Sequence, residues 1–176
     1  ACRSIPTGYV EWVIPEGPFD ATGWDAESYA LSLAPPEHWA LADVVAVVDA
    51  GAKKIGSAEN HQLAATSAYF HTRLAEIPAR LAAARTAIAQ RDLELLGVTM
   101  EADAVSMHAV CMTSTPPSFY WYAGTLSVIH AVRGWREQGL HAYFTIDAGP
   151  NVHVICAATD RDEVQRRLAA LPGVQF

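Results

Sequence analysis

Cysteine is sparse in this 176-residue sequence, and the three present, Cys2, Cys111 and Cys156, are odd in number, widely separated and never in Cys-x-x-Cys form. That excludes a disulfide framework and a cysteine-rich zinc site, and it reads as reduced thiols in a cytoplasmic protein. Positive charge is also short, with 12 Lys and Arg against 19 Asp and Glu and a net charge of −7. Generic binding to nucleic acid or to an anionic membrane is therefore not expected. A few converging cations can still set a local potential that holds a small anionic substrate. No apolar run approaches the roughly 20 residues of a membrane span, and no signal-peptide pattern is present. Gly-x-Ser-x-Gly and the Walker A spacing are missing as well, and no cysteine has an assignable His/Asn partner.

What is there is 51% apolar, enough for one compact domain over residues 1–176. Residues 8–15 alternate loosely and end at Pro15, as a strand does. A Gly/Pro-rich connector follows, then residues 25–33, which suit a short helix or a strand, before Pro35-Pro36 breaks the chain. Residues 41–49 are rich in β-branched side chains and read as a central strand. From 57 to 113 the composition turns to Ala, Leu, Gln, Glu and Arg, with apolar residues three to four apart. This predicts at least three helices, with breaks at Pro78 and near Gly97. Residues 125–138 form a further helix, capped by Thr125 and stopped by Gly139. Two short strands, 141–146 and 152–156, flank Asp147-Ala148-Gly149-Pro150-Asn151; Thr159 or Asp160 then caps a helix over 161–171, and 173–176 suits an edge strand. Strands at the ends with helices between them give an α+β fold, an antiparallel sheet with helices packed on one face.

The late turn is the segment richest in chemistry. Gly149 can take positive φ, and Pro150 fixes its own φ and donates no hydrogen bond, so Asp147 should sit on a tight turn where the first strand ends. A turn aspartate can be structural only. Ala52-Lys53-Lys54-Ile55-Gly56-Ser57 leaves a strand and leads into a helix, an arrangement in which backbone N–H groups and the helix dipole attract phosphate. Arg3, just before the first strand, is a two-pronged partner for a carboxylate or phosphate. His108 lies between Met107 and Ala109 and reads as a packed core histidine. His141 and His153 could face each other across the late hairpin, but no third ligand stands at metal spacing.

Taken in order, four blocks resemble the mevalonate diphosphate decarboxylases of the GHMP kinase superfamily. They are Ala1-Cys2-Arg3-Ser4 with Tyr9-Val10-Glu11-Trp12; Lys53-Lys54-Ile55-Gly56-Ser57 with Thr66-Ser67; Met107-His108-Ala109-Val110-Cys111 with Pro116-Pro117-Ser118-Phe119-Tyr120; and Asp147-Ala148-Gly149-Pro150-Asn151. The resemblance covers the C-terminal half of such an enzyme and implies a ferredoxin-like GHMP C-terminal domain. The chain opens without Met and enters a strand almost at once, so an N-terminal lobe that binds most of the ATP and Mg2+ is expected before Ala1. The 176 residues alone are then expected to be inactive. By resemblance the whole enzyme is a carboxy-lyase: it phosphorylates the 3-hydroxyl of mevalonate 5-diphosphate from ATP, then releases phosphate and CO2. Asp147 and Arg3 are implied as catalytic, Ser57, Arg3 and Ala148 as substrate-binding, and Lys53 as cofactor-binding, with no metal ligand and with a homodimer as the usual assembly.

Two departures bear on the substrate. Where the family usually carries Arg or Thr after Ser57, this sequence has Ala58 and then Glu59. A lost charged hydrogen bond to phosphate costs about 1.5–3 kcal/mol, which raises the alternative of a decarboxylase acting on mevalonate 5-phosphate. Glu101-Ala102-Asp103 replaces an acid-Ser-Asn run, and no site role is carried onto it. A GHMP small-molecule kinase is a further alternative, although such kinases usually place a glycine-rich run where Asp147 stands. A non-catalytic ferredoxin-like binding module is another.

Overall fold

The computed structural model describes residues 6–13, 29–51 and 62–175. Strand β1 (Tyr9–Val13) pairs antiparallel with β2 (Tyr29–Ala34) as a two-stranded ribbon. The ambiguous segment around residue 30 is therefore a strand. The main sheet has three antiparallel strands in the order β3-β5-β4, from β3 (Leu41–Ala46), β4 (Ala142–Thr145) and β5 (Val152–Ala157). The middle strand is β5, not the predicted 41–49. Burial in β3 alternates, with Val44 and Ala46 inside and Asp43 and Val45 outside, because β-branched content marks strand but not place in the sheet. The expected last edge strand is reduced to one bridge, Val47 with Gln175.

Two long helices fill residues 70–113. Helix α1 (Phe70–Gln90) runs through Pro78, and α2 (Leu93–Thr113) runs through Gly97. Neither predicted break occurs. Pro78 and Leu74, whose carbonyl it leaves unbonded, are both exposed, so solvent can satisfy that group. The chain breaks instead at Arg91, with φ 57°, and Asp92 restarts it by accepting from Leu95 N–H at 2.9 Å. Helix α3 (Ala123–Glu137) begins two residues earlier than predicted; Thr125 is its third residue, and its hydroxyl accepts the Tyr122 N–H at 3.2 Å. Gly139, at φ 89°, ends it as expected. Helix α4 (Arg161–Ala169) follows a 3-10 turn over Ala158–Asp160, and neither Thr159 nor Asp160 caps it through a side chain.

One face of the main sheet carries Val44, Ala46, Ala142, Phe144, Val152, Val154 and Cys156, buried against Val128, Val132 and Trp135 of α3 and Val164 and Leu168 of α4. Helix α2 takes a different position, along the free edge of β4. There the outward polar groups of β4 meet side chains: Ala142 C=O accepts from Arg136 Nη1 at 2.9 Å, Phe144 N–H donates to Glu101 Oε1 at 3.2 Å, and Ile146 C=O meets His108 Nε2 at 3.3 Å. A bare strand edge would leave these groups as a template for pairing; here two helices satisfy them. Helix α2 is long and apolar enough, by length and composition alone, to cross a membrane, more apolar than the sequence expectation allowed. Its Glu101 and Asp103 are nevertheless ion-paired to arginines of α3 and α1, and Leu96, Gly97, Ala104, His108 and Val110 are buried while Val98 and Val105 stay exposed.

Candidate active site

Asp147 stands where β4 has ended and is exposed, while Ile146 beside it is buried in the core. The turn is tied down from three directions. His108 of α2 meets the Ile146 carbonyl, and Thr125 Oγ1 of α3 donates to the Pro150 carbonyl at 2.6 Å. Asn151 Oδ1 accepts from Val48 N–H at 2.9 Å and from Asp49 N–H at 3.1 Å, just past the end of β3. Gly149 does not adopt positive φ. It is buried, and its N–H donates to the Asp147 carbonyl at 2.8 Å. The left-handed turn expected of it is therefore not used. Each such hydrogen bond is worth about 0.5–1.5 kcal/mol net, and together they fix a carboxylate on a short, supported turn.

Ala148 is half-buried beside Asp147. Arg3, Lys53 and Ser57 lie outside the described residues. The chain leaves them at Gly51, whose N–H donates to Asp49 Oδ1 at 2.7 Å. Val48 and Asp49, just past the end of β3, are tied to the Asp147 turn through Asn151. Among the described residues, the blocks singled out in the sequence also meet in space: Thr66 Oγ1 accepts the Thr115 N–H at 2.8 Å, Ser67 Oγ pairs with Thr113 Oγ1 at 2.7 Å, and His108 reaches the Asp147 segment.

His108 is 1% exposed, as its packed reading required, with Tyr120 edge-on at 5.8 Å and Trp121 at 5.2 Å between ring centroids. Burial pushes its imidazole below the ordinary value, opposed by the backbone carbonyls of Ile146 and Asp147 and by the Asp147 charge. The His141–His153 pairing does not form. His153 lies opposite Thr145, and its Nδ1 contacts Asp43 Oδ2 at 2.8 Å. Burial also raises both described thiols, Cys111 and, to about 11, Cys156, which disfavours the thiolate form at each.

The acidic run that carried no role in the sequence is structural. Asp103 accepts from Arg73 at 2.8 and 3.1 Å and from Arg80 at 3.2 Å; Glu101 accepts from Arg136 at 2.6 and 3.0 Å. Arg73, Arg80, Asp103 and Thr145 line a cavity of about 300 Å³ between α1 and α2. Sequence reasoning missed the arginines, although their spacing of seven puts both on one face of α1.

Residues 43–173 match the family model described as mevalonate 5-diphosphate decarboxylase C-terminal domain. The diphosphomevalonate decarboxylase of Candida albicans is 35% identical over 170 residues, covering 93% of this chain and 45% of that protein. The human diphosphomevalonate decarboxylase is 33% identical over 156 residues, 86% of this chain and 38% of its own length. Among solved structures, mevalonate diphosphate decarboxylase from Staphylococcus aureus superposes with a TM-score of 0.77 at 32% identity, covering 85% of this chain and 44% of that one. The complex of MDDEF with MVAPP, AMPPCP and magnesium superposes with a TM-score of 0.75 at 30% identity, covering 81% and 44%. The chain thus spans about half the length of the curated relatives it matches.

Proposed function

The chain belongs to the mevalonate 5-diphosphate decarboxylase family, and from that premise we propose that the protein carrying it converts mevalonate 5-diphosphate to isopentenyl diphosphate at the expense of ATP, in isoprenoid biosynthesis. The observation that supports this most directly is the exposed Asp147 on a turn held from α2, α3 and the end of β3. Asp147 orients the 3-hydroxyl and accepts its proton as that oxygen takes the phosphoryl group from ATP. The C–O bond then breaks with loss of phosphate, which takes the proton back from Asp147, and the carboxylate so regenerated stabilises the positive charge developing at that carbon. The bond to the substrate carboxylate breaks last, its electron pair forms the alkene, and CO2 departs. Arg3 holds the substrate carboxylate beside Asp147, Ala148 borders the substrate, and Ser57 faces the 5-phosphate tail.

Among the described residues no three His, Cys, Asp or Glu side chains converge to hold a metal ion. On this reading Mg2+ and most of the nucleotide are held outside this chain, with Lys53 the single contribution to the nucleotide from within it. The partners are a small anionic substrate and a second copy of the protein, in the cytoplasm.

The test is ATP-dependent CO2 release by the full-length protein, with mevalonate 5-diphosphate and mevalonate 5-phosphate supplied side by side. Release with neither would end the decarboxylase reading. Ala58 and Glu59 favour a second reading, preference for the monophosphate. Replacing Ala58 by Arg is expected to raise kcat/KM for the diphosphate over the monophosphate about tenfold or more, the worth of one charged hydrogen bond. An unchanged ratio removes the argument from tail length.

A further inference from the structure

The family resemblance gives His108 no task, yet it is a fully buried titratable side chain that touches the Asp147 turn. Its ring nitrogen Nε2 stands 3.3 Å from the carbonyl oxygen of Ile146. A carbonyl only accepts, so Nε2 is the protonated nitrogen and the imidazole is the donor. That carbonyl belongs to the peptide unit joining Ile146 to Asp147, whose plane sets where the Asp147 Cα and carboxylate point. It takes no part in the pairing with β5, which ends at Thr145 opposite His153. The ring has little freedom to turn: Tyr120 lies edge-on at 79°, Trp121 is tilted against it at 49°, and it belongs to the long helix α2.

We propose that His108 is a positioning residue for the catalytic aspartate, its Nε2–H fixing the Ile146–Asp147 peptide plane and hence the direction of the Asp147 carboxylate. The proposal rests on the reading of Asp147 given above. A catalytic group has to be held to about 0.5 Å and 10–20° of its productive geometry. The other two ties, at Pro150 and Asn151, lie beyond Asp147 in the chain. Before Asp147 the chain is held by the β4–β5 pairing and by the Phe144 N–H on Glu101, but among the described contacts only His108 bonds the Ile146–Asp147 peptide unit itself.

The experiment compares His108→Phe with His108→Gln in the full-length protein, assayed for CO2 release from mevalonate 5-diphosphate. Phe keeps the ring's bulk and removes the donor, while the Gln amide nitrogen reaches the place of Nε2. With Phe, kcat is expected to fall about 10- to 100-fold, the usual effect of misplacing a reacting group by about 1 Å, with KM within about threefold. Gln is expected to restore most of kcat. Unchanged kcat in the Phe variant, or a Gln variant no faster than it at equal thermal stability, overturns the proposal. Where Phe does not fold, His108→Asn replaces it: its amide reaches only the place of Nδ1, so Asn slow and Gln fast supports the role and equal rates overturn it. Asp147→Asn run in the same assay separates the two failures, because normal turnover there defeats the reading of Asp147 itself, whereas a dead Asp147→Asn beside a normal His108→Phe defeats only this inference.

Discussion

Asp147→Asn is expected to reduce CO2 release by the full-length protein by about 10³-fold or more, in line with the loss of a general base together with a transition-state charge partner, and to leave substrate affinity within about threefold. Asn has the shape of Asp and places no new bulk on the turn. The backbone ties at Ile146, Gly149 and Pro150 do not involve the carboxylate, so the fold around position 147 should persist. What is lost is the negative charge and the capacity to accept a proton. Steady-state CO2 release with titration calorimetry on the same preparation separates the two quantities. A variant that turns over at near-normal rate would show that the exposed aspartate is only a turn residue.

The parts of this molecule that local chemistry determines were legible in the sequence. The late hairpin was readable because two short apolar strands flank Gly149 and Pro150, and the helix stop at Gly139 because a positive φ suits glycine. His108 was readable as a packed residue from Met107 and Ala109 beside it. The parts set by partners far along the chain were not. Pro78 looks like a breaker until both it and Leu74 prove to face solvent, and the order β3-β5-β4 depends on pairings over 100 residues apart. Thr125 was identified as a cap, but its bond to Pro150 is a tertiary contact with no local signal. The same is true of Arg73 and Arg80 on Asp103. At the site, Asp147 and Ala148 were found from motif resemblance and sit together on the supported turn, while the roles of Arg3, Ser57 and Lys53 rest on the resemblance.

Gly97 shows the same division between local and distant causes, and it gives the largest expected effect on stability. Helix propensity alone predicts that Gly97→Ala in the middle of α2 should stabilise the protein by about 1 kcal/mol. Packing predicts the reverse. A Cβ at position 97 would stand 2.0 Å from Tyr143 Cγ and 2.2 and 2.4 Å from its Cδ atoms, far inside van der Waals contact. The ring cannot retreat easily, being 2% exposed with the Arg136 guanidinium over it at 4.6 Å from its centroid. Arg136 is itself held by both oxygens of Glu101 and by the Ala142 carbonyl. Tyr143 is thus clamped between a helix backbone and an ion pair, and overpacking such a site costs about 1–3 kcal/mol or more. The steric term exceeds the propensity term, so Gly97→Ala should be less stable in chemical denaturation, with Tm lowered by about 2–4 °C for each kcal/mol lost. Because β4 leads from Tyr143 into the Asp147 turn, a lower kcat should accompany the loss. The control is a double-mutant cycle with Tyr143→Ala, in which Ala at 97 should stop being harmful and the coupling should reach about 0.5–3 kcal/mol. A Gly97→Ala protein more stable than the parent would mean that α2 and β4 do not approach as closely as the absent Cβ requires.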